Sequence, residues 1–328
     1  MMMTREELRE RQGWSLEQKI DHSIATIESF VSKLGGVDKV AVSWSGGKDS
    51  TVLLHLCKRL FPDILAVFCN TTMEWPSIIQ FVNKYKRDGG NVVLLRPKMN
   101  ARQIYSLAFP MVSKEVSENV HAVKVNPNSV KARKALGIEN PKSMFKLNKR
   151  WMYLIDEPYN IDNCCCDYMK KRPVAKFCKE TGRSMILGTM ASESLLRETQ
   201  YIRNGGCNVF AENGGRRENV SMPLSIWTEQ DIWNYIKRFN VEIPDIYYKG
   251  AKRTGCVACS YGSVFKDDDR FNLLYQLEPK YYNMVMNYTN NGVTYREALR
   301  KMFATVGRYL PDEKPKNLFD FNEQTTTT

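Results

Sequence analysis

The stretch VAVSWSGGKDSTVLLHL, residues 40–56, decides the fold. Lys39 to Trp44 is a short β-prone run, Ser45 to Ser50 is a glycine turn, and Thr51 to Leu60 reads as a helix. A strand, a glycine turn and a helix in that order bring backbone N–H groups to the positive end of a helix dipole. Gly46 and Gly47 let the backbone come close to a ligand and aim successive N–H groups inward. Ser45 and Ser50 add hydroxyls, and Lys48 adds a mobile positive charge. Together these residues make a pyrophosphate cradle. Asp49 has no attractive role beside a phosphate unless Mg²⁺ bridges the two or the carboxylate orients the loop. The pattern is not GxxxxGK[ST], so the Walker type of phosphate loop is excluded. The bland alternative is a strand–helix turn that merely needs glycine.

Outward from this stretch, strands and helices alternate. Upstream, Ser15 to Leu34 reads as a helix: Ser15 and Gln18 form a capping-box pattern, and Gly35–Gly36 stops it. Downstream come a strand at Ile64 to Cys69, a helix from Pro76 to Arg87 and a strand at Asn91 to Arg96. This alternation predicts a parallel sheet with helices on both faces, a three-layer α/β/α Rossmann-like class. Ala101 to Asn160 interrupts it, with several prolines and no clear period, and reads as an insertion with some helix. The core resumes with a helix near Met169 to Glu180, a strand at Met185 to Met190 and a helix opened by Thr228. From Gly250 the chain is loop-rich, then helical near Asp267 to Tyr288 and Thr294 to Val306, and Thr325 to Thr328 look like a frayed tail. The expected organisation is an N-terminal helix (1–36), an α/β domain (37–249, with a basic insertion at about 101–160) and a C-terminal cysteine loop with helices (250–328).

The chain of 328 residues carries a formal net charge of +12. Between Pro110 and Arg150, nine Lys or Arg stand against three acidic residues. That excess fits a polyanionic partner, DNA, RNA or nucleotide phosphates, and its alternative is a solvated basic face. No apolar run is long enough to span a membrane, and residues 1–18 lack a signal-peptide core, so a cytoplasmic protein is expected. Five of the nine cysteines fall in two tight groups, Cys164–Cys166 and Cys256 with Cys259. In such a protein clustered cysteines point to metal rather than to disulfides. Adjacent cysteines bite a single zinc ion awkwardly, whereas a cubane offers several irons. Zinc and uncomplexed thiols remain the alternatives.

Three motifs carry a resemblance. SGGKDS at 45–50 is similar to the loop of PP-loop ATP pyrophosphatases. CCDYMKKRP at 165–173, followed by GCVAC at 255–259, resembles the cluster-bearing branch of the phosphoadenosine phosphosulfate (PAPS) reductase family. PLSIWTEQDIWNYI at 223–236 resembles that family's PLxxWTxxDVWxYI. The resemblance runs over most of Lys39 to Gly262 and implies the adenine nucleotide alpha hydrolase-like fold with a cysteine-rich, helical C-terminal region. It implies ATP and Mg²⁺ at Ser43, Ser45, Gly46, Gly47, Lys48, Asp49, Ser50, Asn70 and Thr71, and a 4Fe-4S cluster on Cys165, Cys166, Cys256 and Cys259. Lys48, Asp49, Glu193 and Arg197 are the candidate catalytic residues, the last two from GTMASESLLR at 188–197. In that segment Met190 replaces the family's first Arg. Trp227, Ile232 and Trp233 read as core, and Asp231 as a helix cap.

The family's reductases attack with a cysteine near the C-terminus, and this sequence has none after Cys259. The expected function is therefore cleavage of ATP to AMP and PPi, supporting sulfur transfer, as in the PAPS-reductase-like proteins of DNA phosphorothioation and their phage relatives. A cysteine desulfurase is the implied sulfur donor, and an oligomer is compatible with the sequence. The alternatives are a sulfonucleotide reductase using Cys164 or Cys207, and a nucleotide-binding regulatory protein.

Overall fold

The computed structural model describes residues 3–138, 140, 146–211 and 218–313. The C-terminal tail at 325–328 and Lys142 of the basic segment lie outside the described residues. Elements follow in chain order: α1 (Arg5–Gln12), α2 (Leu16–Leu34), β1 (Val40–Ser43), α3 (Lys48–Leu60), β2 (Ala66–Cys69), α4 (Pro76–Arg87) and β3 (Val92–Leu95). Then come α5 (Ala101–Leu107), α6 (Lys114–Val125), α7 (Val130–Leu136), α8 (Arg172–Thr181), β4 (Ser184–Leu187), α9 (Leu195–Asn204), β5 (Asn208–Val209) and β6 (Val220–Ser221). The chain continues through α10 (Glu229–Phe239), α11 (Arg270–Leu277), α12 (Pro279–Met286), β7 (Thr289–Asn290), β8 (Val293–Thr294) and α13 (Tyr295–Ala304).

Contacts divide the chain into two compact units. The first takes Met1–Lys98 and Met169–Thr254; the second takes Met99–Tyr168 and Gly255–Thr328. This partition runs differently from the sequence-order blocks 1–36, 37–249 and 250–328. The basic segment groups with the C-terminal cysteine loop rather than with the sheet that flanks it in sequence.

The first unit is an α/β sheet in the order β3-β2-β1-β4-β6-β5. All neighbours pair in parallel except the edge strand β5, which runs antiparallel to β6. Alternation along the strands sorts side chains to two faces. Ala41, Val67 and Met185 pack against Phe177 of α8 on one face. On the other, the Trp44 ring meets Phe68 of β2 and Phe81 of α4 at 6.5 and 5.7 Å. The result is the three-layer Rossmann-like class read from the sequence. The local rules also hold. Ser15 Oγ accepts the Gln18 N–H at 3.2 Å while Gln18 Oε1 accepts the Ser15 N–H, and Gly35 ends α2 at φ +89°.

The boundaries differ in places. α3 begins at Lys48, three residues before Thr51, so Lys48 and Asp49 lie in its first turn. The expected helix at Asp267 to Tyr288 is two helices. Pro279 opens the second, because its ring and missing N–H cannot continue the first. Helix α1 and the two-residue strands β5 and β6 were not legible, being too short for a periodic signal.

In the second unit, α6 and α7 pack through Val123, Ala132 and Ala135. Of the basic residues there, Lys124 is turned inward, donating to the carbonyls of Glu157 and Tyr159. Lys131 pairs with Glu118. Lys114, Arg133, Lys134, Lys146, Lys149 and Arg150 are exposed. No described helix is long and apolar enough to cross a membrane.

Candidate functional site

The site in the first unit is built where β1 hands over to α3. Gly46 sits at φ +70°, and a Cβ there would lie 2.8 Å from Ile78 Cγ2, so both conformation and space demand glycine. Gly47 is the N-cap of α3 and brings no capping side chain. A Cβ on it would come within 2.6 Å of Thr254 Oγ1 and 3.1 Å of the Tyr247 hydroxyl. The loop is braced from within: Ser50 Oγ donates to the Gly47 carbonyl at 3.0 Å and accepts the Ser45 N–H at 3.1 Å. The Lys48 N–H donates to the Tyr247 hydroxyl at 2.9 Å, and that hydroxyl lies 2.8 Å from Thr254 Oγ1. Among the described residues no acceptor takes the N–H groups of Asp49 and Ser50, which lie in the first turn of α3. Behind them the chain is tight: a Cβ on Gly188 would stand 3.2 Å from Ser50 Cα.

Lys48 is 5% exposed, a buried cation at the loop. Its Nζ is 3.2 Å from Asp49 Oδ1 and 3.4 Å from Glu229 Oε1, and it stands over the Trp233 and Tyr247 rings at 5.9 and 5.6 Å. Burial pulls its pKa down, but Asp49, Tyr247 and Glu229 outweigh that and hold it above the ordinary lysine value. Asp49 Oδ1 is buried and faces the Lys48 ammonium at 3.2 Å, with no other hydrogen-bond partner among the described residues. An anionic oxygen left in this state suits a divalent cation.

Glu193 and Arg197 form an ion pair across one turn, and Glu193 Oε2 also accepts the Met190 N–H at 2.9 Å. Arg197 is pulled below its ordinary pKa by burial and then by the guanidinium of Arg253, with Asp49 acting the other way. Arg253 immediately precedes Thr254, which touches the glycine loop. Two neighbouring guanidiniums thus border the phosphate cradle. Beside them, Leu187, Thr189, Met190, Arg197 and Ser225 line a cavity of about 90 Å³.

Asn70 and Thr71 serve the loop after β2. Asn70 Oδ1 accepts the Thr72 N–H at 2.9 Å, and Thr72 takes φ +64°. Thr71 is fully buried, and its hydroxyl donates to Glu74 Oε1 at 2.6 Å. Its role in the structure is to hold the loop's shape.

The second unit gathers the cysteines. The turn at Cys256, where the Cys259 N–H donates to the Cys256 carbonyl at 3.1 Å, is pinned by Tyr105 and Tyr295. Both hydroxyls donate to the Ala258 carbonyl, at 3.3 and 3.0 Å, and Arg270 donates to the Cys259 carbonyl. The Cys165 thiol is pushed far up, first by its hydrogen bond with Cys166, then by burial and by the charges of Cys166, Cys259 and Cys256. Burial and Cys256 push Cys259 up to about 11. Four thiols that act on one another electrostatically are neighbours, and a metal that deprotonates them relieves that repulsion. Among the described residues no group of three or more His, Cys, Asp or Glu is arranged to hold a metal ion. No disulfide joins any of the nine cysteines.

A profile of the phosphoadenosine phosphosulfate reductase domain matches residues 39–127 and 92–261. The chain belongs to the PAPS reductase family. Within this family its similarity to curated proteins is distant. It is 24% identical over 233 residues to an adenosine 5'-phosphosulfate reductase of Staphylococcus haemolyticus, covering 71% of this chain and 74% of that one. It is 25% identical over 225 residues to the uncharacterized protein MJ0973 of Methanocaldococcus jannaschii, covering 67% of this chain but only 41% of that protein. Among solved structures, the PAPS reductase of Candida auris aligns with TM-score 0.42 at 13% identity, over 78% of this chain and 97% of that one. The U34-tRNA thiolase NcsA of Methanococcus maripaludis, solved with its [4Fe-4S] cluster, aligns with TM-score 0.38 at 12% identity, over 81% and 77%.

Within the PAPS reductase fold, the residues read from the sequence separate into two sets. Ser45 to Ser50 form one braced loop, with Arg197 electrostatically in reach of Asp49. Ser43 ends β1 and is held in sheet register with Val67 and Leu187. The four cysteines form the second set, in the second unit. Sequence reasoning missed Glu229, Trp233, Tyr247, Arg253 and Thr254, which surround Lys48 or the glycines. Trp233, read as core, is a half-buried wall of the lysine site. Its helical spacing from Ile232 and Ile236 gave no means of telling the two faces apart.

Proposed function

We propose that this enzyme binds ATP on the Ser45–Ser50 loop, cleaves it to AMP and pyrophosphate, and uses the activated acceptor for sulfur transfer to a nucleic acid, in the manner of DNA phosphorothioation. The observation that carries the reading is the loop itself. It presents two glycines whose positions crowd any side chain, first-turn N–H groups without protein acceptors among the described residues, a buried Lys48 and an Asp49 oxygen paired with that lysine. Those are the parts needed to hold a pyrophosphate leaving group and Mg²⁺.

In this mechanism the loop amides and Lys48 hold the β and γ phosphates, and Asp49 would hold Mg²⁺, which supplies charge neutralisation when bound. Arg197 and Arg253 neutralise charge at the α-phosphate. An acceptor oxygen attacks the α-phosphorus, the bond to the bridging oxygen breaks, and pyrophosphate leaves. A persulfide from a cysteine desulfurase then attacks the adenylated centre, and AMP departs with the oxygen. A second thiol cleaves the S–S bond, leaving sulfur on the acceptor and a disulfide on the donor. Cys165, Cys166, Cys256 and Cys259 would hold a 4Fe-4S cluster, which supplies thiophilic iron for sulfur chemistry when bound. The exposed basic residues of 110–150 favour a nucleic acid as acceptor.

Sulfonucleotide reduction is the second reading, favoured by relatives named as adenosine 5'-phosphosulfate reductases. It needs a reactive thiolate. Cys207, 6% exposed, is pushed up to about 11 by burial, and Cys164 to about 12 by burial and Asp162, so neither is poised as a nucleophile. The test uses α-labelled ATP with Mg²⁺, a persulfide source and DNA or RNA, beside a parallel reaction with adenosine phosphosulfate and thioredoxin. Labelled AMP supports the first reading; sulfite from the parallel reaction without AMP overturns it. ATP binding without turnover in the presence of every component identifies a nucleotide sensor.

A further inference from the structure

The first unit holds a pocket of about 580 Å³ that the loop chemistry does not use, walled by α3, α4 and the residues after α10. Its volume lies in the range of small-molecule sites, roughly 300–1,000 Å³. Three aromatic rings meet there. Trp44 stands edge-on to Phe81 at 5.7 Å and to Tyr85 at 4.8 Å, and its indole N–H is fixed by Thr51 at 3.0 Å. Tyr85 in turn lies flat against Gly90, where a Cβ would fall 2.3 Å from the ring. These are rigid apolar walls with little rotamer freedom to lose on binding.

The rim carries three cations, Lys58, Arg59 and Lys84, and two carboxylates, Asp88 and Glu242. Lys84 is answered by Glu242 at 2.5 Å, but Lys58 and Arg59 have no carboxylate within ion-pair distance among the described residues. Lys58 stands over the Tyr85 ring at 5.2 Å, and Arg59 over Phe239 at 5.1 Å. His55 Nδ1 is engaged with the Tyr235 hydroxyl at 2.8 Å. The Tyr85 hydroxyl, on a pocket-lining residue, is buried and has no hydrogen-bond partner. A buried polar group without a partner is costly and points to an acceptor that is supplied by a ligand.

We infer that this pocket binds a small aromatic anion, a planar ring carrying a carboxylate or a phosphate, with the ring against Trp44, Phe81 and Tyr85 and the anion toward Lys58 and Arg59. The site is separate from the phosphate cradle and stands whether or not ATP is the substrate there. Its walls explain the ligand class. An aliphatic anion would leave the three rings unmatched, and a neutral aromatic would leave the two cations and the tyrosine hydroxyl unanswered.

The test is calorimetric titration of the full chain with anthranilate, for the carboxylate, and with phenyl phosphate, for the phosphate. At least one probe is expected to bind at concentrations of roughly 1 mM or below. Lys58→Ala with Arg59→Ala should weaken it about tenfold, and Tyr85→Phe several-fold, by loss of charge-assisted and neutral hydrogen bonds. Lys48→Ala should leave the same affinity unchanged. Both substituted faces are partly exposed or conservative, and an unaltered thermal unfolding midpoint certifies the fold. Absence of binding by both probes overturns the inference. So does an affinity indifferent to the rim and Tyr85 substitutions, and so does loss of binding in Lys48→Ala, which would put the ligand on the loop.

Discussion

Lys19 Nζ lies 2.7 Å from Asp231 Oδ2, joining the N-terminal turn of α2 to the first turn of α10 inside the first unit. Lys19 is 2% exposed, and its ammonium also donates to the Gln12 carbonyl at 2.6 Å. The same Asp231 oxygen accepts the Thr228 N–H and hydroxyl, each at 2.7 Å, so one carboxylate closes a capping box and a buried ion pair together. α10 also supplies Glu229 and Trp233 to the lysine site, so the clamp holds the wall against which Lys48 rests.

Removing one partner of that pair strands the other charge in a buried place. Lys19→Met is expected to destabilise the chain by about 3–5 kcal/mol. Asp231→Asn should cost at least as much, because it also weakens the cap. Urea unfolding monitored by circular dichroism reads both. A change within about 0.5 kcal/mol for either would show the pair to be a surface-like contact.

Gly47→Ala places a methyl group 2.6 Å from Thr254 Oγ1, so the Thr254–Tyr247 brace must shift. The expected result is loss of ATP affinity by more than about tenfold, since the strain falls on the loop that would hold the phosphates. Lys48→Ala should weaken ATP binding while leaving the sheet intact. Equal ATP affinity in both variants and the parent would make the loop merely structural.

Arg253 acts electrostatically on Arg197, and under the proposed function it would supply the anion-binding charge that Met190 does not. Arg253→Ala and Arg197→Ala should each raise KM for the nucleotide and lower kcat, by about tenfold or more at low salt and by less at high salt, where the parent's own charge pairing is screened. The double variant should fall short of the product of the two single losses, because the guanidiniums face one anion. Arg253→Ala with unchanged kinetics would leave Arg197 as the anion's partner at that edge.

Protein purified without air should be brown and contain about four irons per chain if the thiols hold a cubane. Cys165→Ser or Cys259→Ser should lower the iron content and the visible absorbance together. Stoichiometric zinc in colourless protein never exposed to oxygen would remove the cluster from the account.

His55 and His22 should make the fold acid-sensitive. Burial is the leading cause holding each below the ordinary value of 6.5, with Arg59 and Lys58 adding to it at His55 and Arg11 at His22. A lowered folded-state value means the unfolded chain binds the proton first. The stability these residues contribute is complete above pH 6.5 and is lost as the pH falls below it. Unfolding midpoints measured between about pH 7.5 and 5 should drop, and His55→Gln should flatten the slope. A slope unchanged by that substitution would assign the acid sensitivity elsewhere.

Residues 40–56 determined the first strand, the glycine loop and the helix after it on their own, because those depend on neighbours in sequence: a β-prone run, two glycines, an amphipathic helix. Caps behaved likewise, as Ser15 with Gln18 and Thr228 with Asp231 show. The paired cysteine groups were legible by motif, about ninety residues apart, and only folding brought their thiols within electrostatic reach. Everything around Lys48 was decided by tertiary structure. Glu229, Trp233, Tyr247 and Arg253 lie about 180 to 205 residues downstream, in a helix face, a short turn and a loop whose letters carry no periodic or motif signal. Their role arises from the parallel sheet, which carries distant crossovers to the same carboxyl edge, where strand ends leave room for a ligand.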